Sequence, residues 1–344
     1  MESKSIYGNV VTTIQNPTAA LLELAEKAST RGELLFVIGD RKTPLDFSLP
    51  NSKYLSVDSQ EELIFQIAAK LPWNSYTRKM LGYLEAAKAG CQYIRETDDD
   101  NFPLESYFFD FPHEWTAREP KISGEWVNPY IYFSDEFIWP RGYPIDLIES
   151  NRSLHQQLAR DYSEITVLKT GVVQGLADGA PDVDAIYRLV YQNSGDFKFK
   201  KAQPLLIPKG TFAPFNSQVT TWNVELLPLM YLPQTCTFRM TDIWRSFVAT
   251  HLMHLSGYSL IFTKASAFQD RNAHNLLRDF SDEVPGYIGN NDLITAIKSV
   301  SLIGGLANIG KDLVAIYTHL ISKKFFDEEE LAALNAWLID CENL

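Results

Sequence analysis

Three consecutive aspartates, Asp98, Asp99 and Asp100, follow a short apolar run that begins at Tyr93-Ile94, and Pro103 stands just beyond them. Adjacent carboxylates repel one another, so folding does not gather them without a counter-charge. Their oxygens suit hard divalent cations such as Mg²⁺ and Mn²⁺, which commonly bridge to substrate phosphates. A solvated acidic turn is the alternative, since Asp and Asn are common turn residues. Thr12 and Asp40 likewise lie at the ends of apolar runs. Arg78 and Lys79 stand in the first turn of an expected helix, where the dipole disfavours cations and a bound anion would remove the penalty. Arg141 is bracketed by Pro140 and Pro144, which stiffen an extended backbone. A guanidinium held in this way suits a phosphate or carboxylate, or a structural loop carbonyl. His251 and His254 are three apart on an expected helix, yet neither an HExxH motif nor a matching cysteine pair supports zinc. His113 and His274 are loop histidines that could serve as ligands or bases.

The elements that must position these groups follow from periodicity. Residues 9–14 read as a strand, and Pro17 opens a helix across 19–27. The continuous apolar run 33–38 is the pattern of a buried parallel strand. A short strand at 53–57 precedes a capping box at 59–62, whose helix turns Leu63, Ile64, Ile67, Ala68 and Leu71 inward. The next helix covers 75–88, with Gly90 as its stop signal. The order β-α-β-β-α-α-β argues for an α/β fold with a mostly parallel sheet flanked by helices. Ligands of such sheets bind beyond the carboxyl ends of the strands. Thr12, Asp40 and the aspartate cluster all fall there.

Residues 102–144 are dense in aromatics and prolines and read as ordered loops with a short strand at 130–133. A strand at 167–173, a helix near 182–190 and extended segments at 204–208 and 210–216 follow. Residues 241–255 form a helical pattern with Asp242 in its first turn, and 257–263 return as a strand into Lys264-Ala265-Ser266 and Gln269-Asp270-Arg271-Asn272. After residue 290 only helices are expected, at 292–300, 311–325 and 327–340, with Asp327 and Glu330 capping the last. This divides the chain into an α/β domain, 1–290, and a helical extension, 291–344, packed on it.

Composition sets the outer limits. The 344 residues are 45% hydrophobic, ample for a packed core. A net charge of −12 without a basic block disfavours nucleic-acid binding. Three widely spaced cysteines fit a reducing compartment. No run approaches the roughly 20 apolar residues of a membrane span, and the first eight residues lack a basic region leading into an apolar one. A cytoplasmic protein is expected, with peripheral membrane attachment left open. The absence of GxSxG, P-loop and GxGxxG motifs weighs against serine hydrolases, P-loop NTPases and dinucleotide enzymes.

The chain resembles the STELLO-type glycosyltransferases in Thr77-Arg78-Lys79-Met80-Leu81-Gly82-Tyr83-Leu84, Thr97-Asp98-Asp99-Asp100, Trp139-Pro140-Arg141-Gly142-Tyr143-Pro144, Gly175-Leu176 through Pro181-Asp182-Val183-Asp184, Ala213-Pro214-Phe215-Asn216-Ser217 and from Ala273 onward. Arg141-Gly142-Tyr143-Pro144, Pro208-Lys209-Gly210-Thr211, Asp242-Ile243-Trp244 and Lys264-Ala265-Ser266 are more distantly similar to the plant reversibly glycosylated polypeptides, which include UDP-arabinopyranose mutases. The resemblance implies a GT-A type nucleotide-sugar fold and a metal-dependent DXD site holding Mn²⁺ or Mg²⁺. Asp98 and Asp100 would be its carboxylates, Asp100 on the metal and Asp98 on the metal or the ribose. Arg78 and Lys79 would approach the uracil or diphosphate, and Thr12 and Asp40 the nucleotide. Asp242 matches a late acidic position that serves as catalytic acid or base, and Arg141 the arginine glycosylated in the mutases. Thr241 and Asn101 depart from the mutase pattern, which has aspartate and cysteine there. The function the resemblance implies is transfer of a sugar from a nucleoside-diphosphate sugar, UDP-linked, to a glycan or lipid-linked acceptor. A sugar-nucleotide mutase that glycosylates itself, or a non-catalytic scaffold of the same fold, are the alternatives.

Overall fold

The computed structural model describes residues 6–191, 197–270 and 275–344. The expectations attached to Arg271, Asn272, Ala273 and His274, and to the first five residues, lie outside the described residues.

Short apolar runs become the centre of the sheet because both of their faces are covered. Strand β1 (Tyr7–Thr12) is buried along nearly its whole length, and β2 (Leu34–Ile38) along four of five residues. Between them α1 (Ala19–Arg31) is capped by the Thr18 hydroxyl, which accepts from the Leu21 N–H, and is stopped by Gly32 at φ 73°. It lays Leu21, Leu24, Ala25 and Ala28 against one face of the sheet. Strand β3 (Lys53–Leu55) extends the parallel edge. Helix α2 (Val57–Glu61) is capped by Ser56, upstream of the expected Ser59, and ends after five residues. The apolar residues beyond it line a loop and a 3-10 turn, and Ile64 is solvent-exposed. Helix α3 (Lys79–Lys88), preceded by a 3-10 turn at Tyr76–Arg78, covers the other face and leads into β4 (Tyr93–Thr97).

Strands β5 (Asn101–Pro103), β6 (Trp115–Pro120), β7 (Tyr162–Val167) and β8 (Thr170–Gly179) follow, with the short helices α4 (Ile148–Arg152) and α5 (His155–Leu158) between β6 and β7. The expected strand at 130–133 is instead a 3-10 turn started by Asn128 and Pro129. The expected strand at 167–173 is divided, its first residue closing β7, Leu168 and Lys169 forming the connection, and residues 170–173 opening β8. After α6 (Ala185–Val190) come β9 (Leu205–Leu206), β10 (Val219–Asn223), α7 (Thr241–Leu255) and β11 (Ser259–Gln269). The chain closes with α8 (Leu276–Ser299), α9 (Ile309–Ser322) and α10 (Glu329–Glu342). Helix α8 begins well before the expected residue 292 and carries Pro285 and Gly286 inside it. Gly286 has a packing role, since a Cβ there would lie 2.4 Å from the Met240 methyl.

The sheet order is β3-β2-β1-β4-β10-β8-β11-β9-β6-β7, with β5 paired to β11. Strands β3, β2, β1 and β4 are all parallel, as expected. Beyond them the sheet is mixed. Strand β10 runs antiparallel to both neighbours, β4 and β8, while β8 and β11 are parallel through a ladder with register shifts. The α/β architecture therefore stands and its predominantly parallel character does not, because β10 enters the centre of the sheet in reverse. One core runs from Val10 and Tyr83 through Trp222 and Phe247 to Leu313 and Trp337, joining sheet, α7 and the last helices. No helix among the described residues is long and apolar enough to cross a membrane.

Candidate active site at the strand ends

A cleft of about 520 Å³ opens where β1, β2 and β4 end. Its lining brings together Thr12, Asp40, Arg78, Asp98, Asp100, Arg141 and Asp242, which are separated by up to 230 positions in sequence. Of the residues the resemblance assigns to the site, Lys79 alone lies outside the lining, immediately beneath it, and the candidate histidines His113, His251 and His254 are outside it too.

The three aspartates do not present one face. The Lys79 ammonium donates to Asp98 Oδ1 at 2.8 Å. Asp99 turns toward the end of β1, where Oδ2 accepts from the Thr13 hydroxyl at 2.6 Å and from Gln15 Nε2 at 3.2 Å, and its carbonyl accepts from the Thr18 hydroxyl. Asp100 Oδ2 accepts from Gln269 Nε2 at 3.2 Å, at the end of β11. Charge that would otherwise repel is thus spread over three neighbouring elements. Asp99 ties the loop to β1, leaving Asp98 and Asp100 as the outer pair. Burial pushes the Asp98 carboxyl up, while Lys79 pulls it down and Asp99 and Asp242 add to the rise. Its side chain is 42% exposed at the cleft, so solvent tempers the effect. A cation delivered there would favour its ionised form. Among the described residues no three acidic, histidine or cysteine groups converge as a ready-made metal cage. A pair of carboxylates suits a hard cation that keeps water and takes its remaining oxygens from a phosphate.

The two basic residues are structural first. The Lys79 ammonium is fully buried and donates to the Thr97 carbonyl, Asp98 Oδ1 and the Ser217 carbonyl, which uses all three of its N–H groups. It orients Asp98 from beneath the cleft. Arg78 stacks on Trp73 at 3.5 Å, donating through Nε to Gln60 Oε1 at 2.6 Å and through a terminal nitrogen to the Leu71 carbonyl at 3.0 Å. Burial lowers its pKa to about 10, so it stays charged at neutral pH, in the floor of the cleft. Asp40 accepts the backbone N–H groups of Arg41, Asn74 and Ser75. It therefore locks the loop after β2 to the turn that carries Tyr76 and Arg78.

Arg141 forms the second centre of the cleft. Its guanidinium donates to Asp182 through Nε at 2.9 Å and a terminal nitrogen at 2.8 Å, and to the two oxygens of Asp242 at 2.9 and 3.1 Å. The fifth N–H goes to the Arg239 carbonyl. All five donors are engaged. Burial opposes the charge, but the two carboxylates outweigh it and raise the Arg141 pKa well above its ordinary value. Arg141, the arginine expected to be glycosylated, is thus held as a cation by two carboxylates and a carbonyl. The same pairing decides the state of Asp242. Burial pushes its carboxyl up, and Arg141 overcomes that and holds it below the ordinary range. The Ser217 N–H also donates to it, at 3.2 Å. A carboxylate held this way is a weak base, so Asp242 is better suited to a fixed negative charge than to proton abstraction.

Lining residues not singled out from sequence include Tyr76, Asp182, Phe238 and Arg239. Asp182 lies within a motif already noted, but nothing in the motif separated it from Asp184. The others sit on connections brought to the cleft by long-range packing. His251 and His254, half-buried on α7, both have pKa values lowered by burial, His254 to about 4.

Comparison with known proteins places the geometry in context. Residues 239–344 match the family model described as STELLO glycosyltransferases. The chain is 30% identical over 282 residues to the Arabidopsis thaliana protein named "Probable glycosyltransferase STELLO1", an alignment covering 76% of this chain and 35% of that protein. It is 29% identical over 304 residues to "Probable glycosyltransferase STELLO2" of the same plant, covering 83% and 38%. The chain thus spans under two fifths of the length of these relatives. Family match and pairwise identity agree with the motifs, and the chain is STELLO-like over three quarters or more of its length.

Proposed function

We propose that this chain is a glycosyltransferase with a GT-A type arrangement, taking a UDP-linked sugar in the strand-end cleft together with Mn²⁺ or Mg²⁺. The observation that carries the reading is the convergence of Thr12, Asp40, Asp98 and Asp100 at the carboxyl ends of adjacent parallel strands, within a cleft of about 520 Å³. The likeness to two proteins named as probable glycosyltransferases supports it.

Each residue then has a task set by its surroundings. Asp98, oriented by Lys79, and Asp100 would hold the cation. When bound, the ion supplies positive charge that neutralises a leaving diphosphate. Thr12 and the loop locked by Asp40 would border the nucleoside, with Arg78 as a fixed cation in the floor. Asp242 and Asp182 are kept ionised by Arg141 and would face the positive charge that develops at the anomeric carbon. The acceptor is a glycan or a lipid-linked saccharide.

Incubation with a panel of UDP-sugars, Mn²⁺ and oligosaccharide acceptors tests the reading. Release of UDP from at least one donor is expected, with a fall of 10²-fold or more in Asp100→Ala, on the scale of removing a charge-stabilising group. No release from any donor, or equal release by the variant, would count against it.

A further inference from the structure

The cleft described above gathers many charged side chains, and one aromatic ring projects into it from a rigid support. Phe238 is 58% exposed. Among the described lining residues only Ile14, at 52%, is a comparably exposed large apolar side chain. A loose loop would explain such exposure trivially, but this loop is held on both sides of the ring. The N–H groups of Gln234 and Thr235 donate to the buried Glu330 carboxylate. The Thr237 hydroxyl donates to the Asp282 carbonyl, and the Met240 N–H returns to the Thr237 carbonyl at 2.9 Å. Arg239 donates through Nε to Glu283 at 2.8 Å. Tyr76 meets Phe238 edge-on at a centroid distance of 4.7 Å, and its own hydroxyl accepts from the Asp242 N–H at 3.1 Å.

We infer that Phe238, braced by Tyr76, is a stacking platform for a pyranose ring in the cleft. This rests on the nucleotide-sugar reading above. One face of a pyranose carries axial C–H groups and is apolar, while its rim is a belt of hydroxyls. A fixed aromatic ring beside Arg239, Asn74 and Ser75 offers complementary surfaces to both. The position beside Asp242 suits a sugar, because Phe238 belongs to the connection that enters α7 and the hydroxyl of its brace Tyr76 accepts from the Asp242 N–H. Pre-organisation by hydrogen bonds on both flanks means that stacking costs little further ordering.

Isothermal titration of the full chain in Mn²⁺ tests the assignment with wild type, Phe238→Ala and Phe238→Trp. The ligands are UDP, the best bound of UDP-glucose, UDP-galactose and UDP-xylose, and cello- and malto-oligosaccharides added to the UDP complex. Phe238→Ala is expected to lose about ten-fold in affinity for the UDP-sugar or for an oligosaccharide, the scale of one aromatic contact. Affinity for UDP should stay within two-fold, and Phe238→Trp should keep wild-type affinity for both sugars. Loss confined to the UDP-sugar assigns the platform to the donor, and loss confined to the oligosaccharide assigns it to the acceptor. Equal binding of all ligands by wild type and Phe238→Ala, or a ten-fold loss for UDP itself, would overturn the inference. A wild type that binds no UDP overturns the nucleotide-sugar reading instead. The oligosaccharide titration on the free protein then decides the platform, which falls if wild type binds none or binds as Phe238→Ala does.

Discussion

At the scale of single residues, the chemistry of the cleft is governed by which charges are held and by what. Arg141 holds two carboxylates in the ionised form, and removing one partner of a buried ion pair costs about 3–5 kcal/mol. Arg141→Ala is expected to fall in that range by urea denaturation. The pH dependence should also change sign. In wild type the folded-state pKa values of Asp182 and Asp242 lie below ordinary ones, so their contribution is complete above about pH 4 and is lost as pH falls through the folded values. Without Arg141, burial and the neighbouring Asp182 act against Arg245 alone and raise the carboxyl of Asp242 in particular. Stability of the variant should therefore rise as pH is lowered from 7 to 5. Melting temperatures of both proteins across that interval check this, and a variant that loses stability in parallel with wild type would contradict it. At this scale the sequence was informative where a polar residue ends an apolar run, as at Thr12, Asp40 and Asp98–Asp100. It was silent on Lys79 becoming a buried support for Asp98, since charge alone does not reveal which acceptors will surround an ammonium.

At the scale of elements, α10 braces the cleft from behind. Near its start Glu330 is fully buried and accepts from the Tyr231 hydroxyl and the Gln234 and Thr235 N–H groups. Near its end Asp340 accepts the N–H groups of Gln66 and Ile67, each at 2.8 Å. One helix thus fixes both the loop that carries Phe238 and the segment ahead of Leu71, whose carbonyl holds Arg78. The expected capping role of Glu330 is replaced by this long-range one, because α10 starts at Glu329 without a side-chain cap. Glu330→Ala strands several buried donors and is expected to cost about 3 kcal/mol. It should also make residues 234–240 susceptible to limited proteolysis. A change under about 0.5 kcal/mol, the ordinary range for surface substitutions, with the same cleavage pattern would refute the brace. Helices with plain apolar periodicity, such as α1, α3 and α7, were legible in sequence. The start of α8 was not: Pro285 and Gly286 lie inside the helix, and Gly286 leaves room for the Met240 methyl.

At the scale of the whole molecule, the parallel strands β3-β2-β1-β4 follow from local pattern, and the remainder of the sheet does not. Strand β10 enters between β4 and β8 from more than 100 residues downstream of β4, and no local feature encodes its reversed direction. That insertion has a functional consequence, since Ser217 and Gln218, just before β10, are brought against Asp242 and Asn101 at the cleft. The site is therefore a property of the complete fold, assembled from strand ends, the turn before α3, the loop entering α7 and the residues leading into β10. We propose that Asp98 and Asp100 bind a divalent cation there together with a nucleoside diphosphate. Isothermal titration of UDP into the full chain, in Mn²⁺ and in EDTA, with wild type and Asp100→Ala, tests this most directly. Wild type should bind UDP in Mn²⁺ and lose at least ten-fold in EDTA, and Asp100→Ala should bind weakly in both. Equal UDP binding by the two proteins in Mn²⁺, or wild-type binding unaffected by EDTA, would contradict the account.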